Sequence, residues 1–270
     1  MSGILYLVPS PIGNIQDVSP RVREVLSNVD YIACEDTRNT LKLLNILGIN
    51  KKLVSCHEHN EIESSSRIIK DLLDDKNVAY LSDAGYPCIS DPGFLLSKEA
   101  IKNNIKITPI SGASAFLNAL VASGLDTNHF IFYGFLDSKS TDRKKELTTL
   151  KHNPYTIIFY ESPHRIQDTL KDIYEIFGDR HLTICRELTK IHEEFIRTTL
   201  KEIVENPIEL IGELVLVVEK YTEPIKEIDE NEIKKQVNLL IQNGLTKKDA
   251  ISSVSLLLNL PKNLVKKIVI

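Results

Sequence analysis

The first 124 residues alternate between two hydrophobic patterns. Short β-rich runs predict buried strands, and apolar residues spaced three or four positions apart predict helices between them. The predicted strands are Ile4–Val8, Tyr31–Cys34, Val78–Leu81 and Lys106–Pro109. The predicted helices lie near residues 19–29, 40–47, 64–73, 94–103 and 113–123. This alternation favours a mostly parallel sheet with helices on both faces, so the predicted fold class is α/β.

The pattern changes after Gly124, where strands outnumber helices. The predicted strands are Phe130–Phe135, Thr156–Tyr160, Leu182–Arg186, Phe195–Thr199 and Glu213–Val218. The predicted helices cover 143–150, 166–177 and 200–206. We interpret residues 125–222 as a second α/β domain with mixed strand directions, joined to the first by a hinge near Gly124–Asn128.

The end of the chain is predicted to be helical and basic. Helices are expected over 230–243 and 247–258, and Pro261 begins a third. Residues 230–270 contain seven Lys and three acidic residues, whereas the whole chain has a net charge of −4. On charge patterning alone, a packed appendage with solvated lysines is favoured over an RNA-contacting module. The predicted domains are therefore 1–124, 125–222 and 223–270.

Composition excludes several classes of protein. Apolar residues make up 42% of the chain and charged residues 26%, which is typical of a globular protein and not of a disordered one. No apolar run approaches the roughly 18 residues that a membrane helix needs. The four cysteines are scattered without a C-x-x-C pair, which argues against a disulfide framework or a structural zinc site and favours the cytoplasm. An acidic chain is expected to bind nucleic acid through a local basic patch.

The loops after the predicted strands carry the candidate chemistry. None of the eleven glycines lies two positions from another, so the sequence lacks G-x-G-x-x-G, and it also lacks a Walker A motif. Pro9–Asn14, Ser82–Gly93 and Ser111–Ala115 instead follow strands, where loops of an open α/β sheet converge on the ligand crevice. Because Ser82–Gly93 contains Asp83 and Asp91 but no Lys or Arg, it suits a ligand with positive charge or hydroxyl groups.

Further ionisable residues form three groups. His57 and His59 have a spacing that metal hydrolases use, but no other ligands match them, so a substrate-contacting or proton-handling loop is favoured. Glu161–Arg165 and Arg186–Lys190 follow strands of the second domain, and together they suit phosphodiester binding and proton transfer. Asp142–Glu146 adds basic residues at the start of a helix.

Seven sequence motifs occur in a fixed order along the chain, and their combination identifies a protein family more specifically than any single motif. They are Leu5–Asn14, Glu35–Arg38, His57–Glu61, Ser82–Gly93, Gly134–Leu136, Phe159–Arg165 and Arg186–Lys190. Together, over about residues 3–222, they resemble the ribosomal RNA small subunit methyltransferase I family of the tetrapyrrole methylase superfamily. The resemblance implies a two-domain tetrapyrrole-methylase-like fold with the cofactor in the cleft between the domains, a small helical C-terminal region and a homodimer.

The resemblance also implies an S-adenosylmethionine-dependent enzyme that methylates the ribose 2′-oxygen of a cytidine in the decoding region of 16S rRNA. Its partner is free 16S rRNA or the small ribosomal subunit, with no DNA, membrane or metal involved. The cofactor positions carry over to residues of the three loops, namely Pro11, Ile12, Gly13, Asp83, Ala84, Gly85, Tyr86, Pro87, Ser114 and Ala115. A lysine-free acidic loop agrees with a cationic cofactor.

The implied chemistry is an in-line displacement, in which the enzyme aligns the 2′-oxygen and helps to remove its proton. The candidates for proton removal or orientation are His57, Glu161, His164 and Lys190. The candidates for phosphate contacts are Arg38, Arg143, Lys144, Arg165 and Arg186. The sequence leaves the choice of the base open.

Two functions of other kinds stay open at this point. One is a small-molecule methylase of the same superfamily, against which the His57–Glu61 and Glu161–Arg165 motifs and the basic tail weigh. The other is a non-catalytic RNA-binding or ribosome-assembly protein, which loss of cofactor binding would favour. A metal hydrolase that uses His57 and His59 is a more distant alternative.

Overall fold

The computed structural model describes residues 2–223, 229–258 and 260–269. Contacts divide the chain into two compact units, Met1–Thr222 and Glu223–Ile270. Two five-stranded sheets with flanking helices build the first unit. The α/β class predicted from the sequence is confirmed.

The first sheet is parallel throughout, and its strands run in the order β3-β2-β4-β1-β5. The strands are β1 (Ile4–Val8), β2 (Tyr31–Cys34), β3 (Leu53–Ser55), β4 (Val78–Leu81) and β5 (Lys106–Pro109). The helices that follow these strands are α1 (Pro20–Asn28), α2 (Thr37–Leu47), α3 (Glu61–Leu73), α4 (Phe94–Lys102) and α5 (Ala115–Ser123). The edge strand β3 has only three residues and was not predicted.

Both faces of the first sheet are buried, as a parallel sheet requires. On β2, Ile32 and Cys34 face the cluster formed with α1 and α2, whereas Tyr31 and Ala33 face the cluster formed with α3 and α4. Ser19 caps α1 by accepting a hydrogen bond from the backbone N–H of Val22, and Pro20 occupies the first turn. The predicted arrangement of helices on both faces is confirmed.

The order of the first sheet creates a switch point between two neighbouring strands. The connection that leaves β1 runs to β2 on one side, whereas the connection that leaves the adjacent β4 runs to β5 on the other side. The loops at the carboxyl ends of β1 and β4 therefore diverge from a common crevice, where open α/β sheets bind ligands. These are the loops Pro9–Asn14 and Ser82–Gly93.

The second sheet is mixed, with the order β6-β7-β10-β8-β9. Only β6 and β7 are parallel, and the other neighbours are antiparallel. The strands are β6 (Phe130–Phe135), β7 (Thr156–Glu161), β8 (His181–Arg186), β9 (Glu194–Thr199) and β10 (Leu214–Val218). The helices are α6 (Ser140–Leu150), α7 (Ile166–Phe177) and α8 (Leu200–Glu205), and they cover one face.

Helix α5 covers the other face of the second sheet. Ala119 and Leu120 pack against Ile158 of β7, Cys185 of β8 and Val217 of β10. The helix thus precedes the predicted boundary at residue 124 but buries its apolar face on strands that follow it. The division of residues 1–222 into two domains at this position stays a prediction.

The second unit has its own apolar core. Its described helices are α9 (Glu230–Gln242), α10 (Lys247–Leu257) and α11 (Lys262–Val269). Ile233, Val237, Ala250, Val254 and Val265 form the centre of this core. Across the described residues of the chain, no helix combines the length and the apolar character that crossing a membrane requires.

Candidate active site

The loops after β1 and β4 are joined directly. The backbone N–H of Ser10 donates to the carbonyl of Gly85 at 2.9 Å, and the N–H of Gly85 donates to the carbonyl of Ser10 at 3.0 Å. The Ser10 hydroxyl donates to the carbonyl of Ser82 at 2.7 Å, and the Ser82 hydroxyl donates to that of Gly85 at 3.1 Å. The switch point therefore carries a fixed wall of two loops.

A cavity of about 370 Å³ lies beside this wall. The first sheet contributes the loops after β1, β4 and β5, and the second sheet contributes the end of β7 and the start of β10. Its lining residues from the second sheet include Phe135, Tyr160, Glu161, Gly212, Leu214 and Val215. Most of the exposed wall is apolar, with a few convergent polar groups, as is typical of pockets for small molecules and cofactors.

One further loop, which follows β8, contacts the loop Pro9–Asn14 across the gap between the two sheets. The backbone N–H of Asn14 donates to the hydroxyl of Thr189 at 3.1 Å. A side chain at Gly13 would place its Cβ 2.5 Å from Cγ of Lys190, so glycine is required for this close approach. The loop Pro9–Asn14 is thus braced by β4 on one side and by the second sheet on the other.

The loop Ser82–Gly93 has a backbone that only a well-supported segment adopts. Cys88 and Ser90 have φ values of 71° and 59°, in the left-handed region that is unfavourable for both residue types. The carboxylate of Glu61 supports the end of the loop, because Oε1 accepts from the backbone N–H groups of Gly93 at 2.9 Å and Leu95 at 3.0 Å. Strain of this kind is concentrated at functional sites.

Three carboxylates meet at the ends of β2 and β4. Within the described chain, Glu35, Asp83 and Asp91 form no ion pair with Lys, Arg or His. Burial, followed by the charges of Glu35 and Asp83, raises the pKa of Asp91 to about 7, although Ser82 acts in the opposite direction. Burial and the charge of Asp83 also raise the pKa of Glu35. A cation bound here would relieve this repulsion.

The sequence matches the family model for Tetrapyrrole (Corrin/Porphyrin) Methylases over residues 4–204. Ribosomal RNA small subunit methyltransferase I of Bacillus subtilis (strain 168) is 46% identical over 269 residues, which cover 96% of this chain and 91% of the relative. The Halalkalibacterium halodurans protein of the same name is 50% identical over 226 residues, which cover 83% and 78%. The chain belongs to this methyltransferase family of tetrapyrrole methylases.

Solved structures share the methylase fold. Uroporphyrin-III C-methyltransferase of Thermus thermophilus superposes with a TM-score of 0.58 at 18% identity, covering 81% of this chain and 94% of that one. Diphthine synthase gives a TM-score of 0.62 at 15% identity, covering 82% and 92%. A second structure of the Thermus enzyme, complexed with S-adenyl homocysteine, gives 0.59 at 13% identity, covering 80% and 97%.

The structure brings most of the cofactor candidates of this methylase to one place. Six of them line the main cavity, namely Ile12, Ala84, Gly85, Tyr86, Ser114 and Ala115. Pro11, Gly13 and Asp83 instead line a neighbouring concavity of about 260 Å³ between the loop after β1 and helix α2. Pro87 is buried and lines neither space. The tyrosine hydroxyl of Tyr86 accepts a hydrogen bond from Gly112 N–H at 2.9 Å, which ties the loops after β4 and β5 together.

Two of the catalytic candidates are committed to other partners. Glu161 lines the cavity, but its buried carboxylate pairs with Arg165 and accepts from the Thr169 hydroxyl at 2.6 Å. Lys190 pairs with Glu187 at 2.9 Å and Glu213 at 3.2 Å. Partial burial lowers the pKa of Lys190, but Glu187 and Glu213 together raise it by a larger amount, so the net shift is upward. The prediction that either residue removes a proton has no support in this geometry.

The two histidine candidates lie outside the wall of the main cavity. His57 lies at the carboxyl end of β3, beside the acidic residues, and its Nδ1 is buried without a hydrogen-bond partner. Its ring contacts that of His59 at 6.0 Å between centroids. His164 is exposed and lines a separate groove with Ile208 and Ile211. No group of three or more His, Cys, Asp or Glu side chains suited to a metal occurs in the part of the chain that is described.

The RNA-binding candidates differ in their access to solvent. The Arg38 side chain is 85% exposed beside its partner Asp36. Arg165 and Arg186 are half-buried and pair with Glu161 and Glu194, and Lys144 pairs with Glu175 and Asp172.

Arg143 is the exception among the RNA-binding candidates. Its side chain is only 2% exposed, and its guanidinium pairs with Asp172 at 2.6 Å. It also donates to the backbone carbonyls of Asp137 and Ser138. Arg143 therefore holds α6 against α7, and its prediction as an RNA contact is wrong.

Sequence reasoning missed three features of the site. Asp91 lies in a loop that was singled out for its carboxylates, but nothing in the spacing distinguished the acid that lines the cavity from Asp83. Glu213–Val215 was predicted only as the start of a strand and Gly212 was not singled out, yet all four residues line the cavity. Glu61 was grouped with the neighbouring histidines, although its role is to cap α4.

Proposed function

We propose that this protein transfers the methyl group of S-adenosylmethionine to the ribose 2′-oxygen of a cytidine in the decoding region of 16S rRNA. The observation that carries the proposal is that loops from both sheets converge on one cavity at the switch point, in a chain 46% identical to ribosomal RNA small subunit methyltransferase I of Bacillus subtilis over nearly its whole length. Uroporphyrin-III C-methyltransferase and diphthine synthase share this fold, so the fold alone does not give the substrate.

The residues of the cavity fit S-adenosylmethionine in two respects. The apolar wall, which includes Ile12, Phe116 and Val215, suits the adenine ring, and the serines Ser114 and Ser162 offer hydrogen bonds. Asp91 faces the cavity without a cationic partner within the described residues, which suits a ligand with positive charge. When bound, the cofactor would supply a methyl group on a sulfonium sulfur, from which a neutral thioether is a good leaving group.

The chain supplies alignment and electrostatics. We propose that Ile12, Ala84, Gly85, Tyr86, Ser114 and Ala115 contact the cofactor. Pro11, Gly13, Asp83 and Pro87 shape the loops around it. The braced loops hold the site in a single geometry, and alignment of two reactants contributes up to about 7–11 kcal/mol to lowering a barrier. The exposed Arg38, with Arg186, Arg165 and Lys144 at the surface of the second sheet, is proposed to contact phosphates.

The proposed partners are the small ribosomal subunit or its RNA, and a second copy of the chain. Exposed apolar side chains on the adjacent helices α3 and α4 support a dimer, since Ile62, Phe94 and Ile101 are 77%, 63% and 66% exposed. Light scattering after gel filtration measures the oligomeric state directly.

All four cysteines are free thiols, which supports the reducing cytoplasm as the place of action.

The proposal is tested by transfer of a labelled methyl group to small subunits and to free 16S rRNA from a strain that lacks the enzyme. Ala115→Trp fills the cavity and is expected to abolish both cofactor binding and labelling. Leu117→Trp on the same helix is the matched control, because Leu117 is partly exposed and does not line the cavity. Nuclease mapping should place the label at a ribose 2′-oxygen of a cytidine.

Three results would contradict the proposal in different ways. Cofactor binding without label in any RNA would favour a small-molecule methylase. A folded protein that binds RNA but no cofactor would favour a ribosome-assembly role. Label on a base rather than on ribose would retain the enzyme class and change the acceptor atom.

A further inference from the structure

The titratable side chains that line the main cavity differ in whether another group forms an ion pair or a hydrogen bond with them. Within the described chain these residues are Tyr86, Asp91, Tyr160, Glu161 and Glu213. Glu161 pairs with Arg165, and Glu213 pairs with Lys190. The hydroxyl of Tyr86 is engaged by Gly112, and burial raises the pKa of Tyr160 to about 12. Asp91 alone among these five is a carboxylate without a cationic partner.

We propose that Asp91 is the catalytic residue that accepts the proton of the ribose 2′-hydroxyl during methyl transfer. The inference rests on the proposed function and names the base that the sequence left open. It replaces Glu161 and Lys190, whose charges are already neutralised by ion pairs. It also differs from His57 and His164, which do not line the cavity.

The backbone places Asp91 in a fixed position. Ser90, which precedes it, is held in the left-handed region with φ of 59°, and Pro92 follows it. The N–H of Cys88 donates to the carbonyl of Pro92 at 3.1 Å, so Asp91 sits within a closed turn. Because Glu61 anchors Gly93, the turn is also fixed at its far end. A general base must be held in place in this way to be within reach of the proton that it accepts.

The surroundings of Asp91 suit proton transfer near neutral pH. Glu35 faces it from the end of β2, Asp83 from the end of β4, Cys88 from its own loop and Tyr160 from β7. None of these groups is a cation, so burial and the two neighbouring carboxylates raise the pKa of Asp91 to about 7. The strongest general bases that are still ionised have a pKa near the working pH.

The proposed step balances atoms and charge. The ribose O–H bond breaks, and its proton moves to a carboxylate oxygen of Asp91. The oxygen electron pair forms the bond to the methyl carbon, and the electron pair of the carbon–sulfur bond stays on sulfur. A sulfonium cation and a carboxylate anion are thereby converted into a neutral thioether and a neutral acid. The protonated Asp91 then releases its proton to solvent.

The experiment compares the wild-type protein with Asp91→Asn, Asp91→Glu and the exposed control Asp74→Asn, using small subunits that lack the modification. Single-turnover methylation is measured between pH 5.5 and 9, and calorimetry gives the Kd of S-adenosylmethionine at the same pH values. We expect Asp91→Asn to bind the cofactor within about threefold of wild type at pH 6, where the wild-type carboxyl is largely protonated, and to methylate about 10²–10⁴-fold more slowly at pH 7.5. Asp91→Glu should restore part of the rate, and Asp74→Asn should match wild type.

A second measurement does not depend on catalysis. Carboxyl ¹³C NMR of the protein without RNA should show a group that titrates near pH 7 and is absent from Asp91→Asn. With the cofactor bound, the wild-type rate should rise with pH through an inflection that the sulfonium charge displaces below the value found without cofactor, and this inflection should be absent from the variant. An Asp91→Asn protein that methylates at the wild-type rate would overturn the proposal, as would one that is folded but no longer binds the cofactor at pH 6. If wild type itself methylates no RNA, the proposed function fails first and this inference fails with it.

Discussion

Charged residues are arranged in opposite ways in the loops at the ends of the strands of the two sheets. At the carboxyl ends of β2 and β4, Glu35, Asp83 and Asp91 lie together without an ion pair in the described chain, although the charge of Arg38 acts on Asp83 from a greater distance. At the corresponding edge of the second sheet, Lys190 pairs with Glu187 and Glu213. Both edges contain non-glycine residues in the left-handed region.

The difference separates two uses of charge. Carboxylates that repel one another are destabilising, and a protein retains them where a ligand or a reaction uses them. Paired charges satisfy each other and hold loops in place. The strained loop with unpaired acids is therefore the reactive part of the site, and the strained loop with paired charges is its support. Four predictions test this contrast, from the largest expected effect to the smallest.

The largest effect is expected where a paired charge is fully buried. Arg143→Ala would leave the buried carboxylate of Asp172 with only the Ser140 hydroxyl and the longer contact to Lys144 at 3.5 Å, and loss of such a buried pair costs about 3–5 kcal/mol of unfolding free energy. Urea denaturation measures the loss. Lys145→Ala, on the exposed side of the same helix, should cost less than about 1 kcal/mol. Equal costs for the two variants would show that the Arg143 pair does not stabilise the fold.

The next effect concerns the support of the reactive loop. Glu61→Ala removes the acceptor of two backbone N–H groups, at Gly93 and Leu95, and each unsatisfied donor costs about 1–3 kcal/mol. We expect lower stability and a large loss of methylation, since the loop that carries Asp91 loses its anchor. Glu61→Gln keeps a carbonyl acceptor and should recover much of both. Recovery of stability without activity would give Glu61 a role beyond anchoring.

A smaller effect should distinguish the contribution of the cofactor's positive charge to its binding affinity from the contribution of its shape. Asp91, with a pKa of about 7, is mostly neutral at pH 6 and mostly anionic at pH 8. S-adenosylmethionine carries a sulfonium that S-adenosylhomocysteine lacks. The ratio of the affinity for S-adenosylmethionine to the affinity for S-adenosylhomocysteine should therefore increase as the pH rises. If the cation lowers the pKa of Asp91 by about one unit, the affinity ratio changes about tenfold. Calorimetry with both ligands gives this ratio, which should be independent of pH in Asp91→Asn.

The smallest effect on stability is expected at the exposed edge of α2. Arg38→Ala should leave the free energy of unfolding nearly unchanged, because its ion pair with Asp36 is exposed. It should weaken RNA binding severalfold at low salt and reduce the slope of log Kd against log salt by about one. Filter binding at several salt concentrations measures both. An unchanged slope would remove Arg38 from the phosphate contacts.

The sequence predicted the helices and strands better than the elements against which each of them packs. The strands Ile4–Val8 and Val78–Leu81 were recognisable because a central parallel strand is continuously apolar. Strand β3 was missed because three residues carry no usable periodicity. The packing of α5 on the second sheet depends on contacts between residues far apart in the chain, such as Leu120 with Val217, which no local pattern encodes.

The site was predicted to the level of loops and not of side chains. The loop Ser82–Gly93 was identified from its Gly, Pro and Ser content, and it lines the cavity as the switch-point rule requires. The choice between Asp83 and Asp91 depends on which carboxylate the turn at Ser90 directs to the cavity. Arg143 was misjudged because neighbouring Arg and Lys residues look alike in a basic run, although the helix turns one inward and the others outward.

Helix α5 has a consequence for how the chain folds during synthesis. Its apolar face is covered by strands β7, β8 and β10, and the last of these begins at Leu214. Roughly ninety residues must be added after α5 before its cover is complete, which takes about 5–20 s at typical rates of translation. The nascent chain therefore carries an uncovered apolar helix for much of its synthesis, and a truncated protein that ends near residue 124 should be a target for chaperones and proteases.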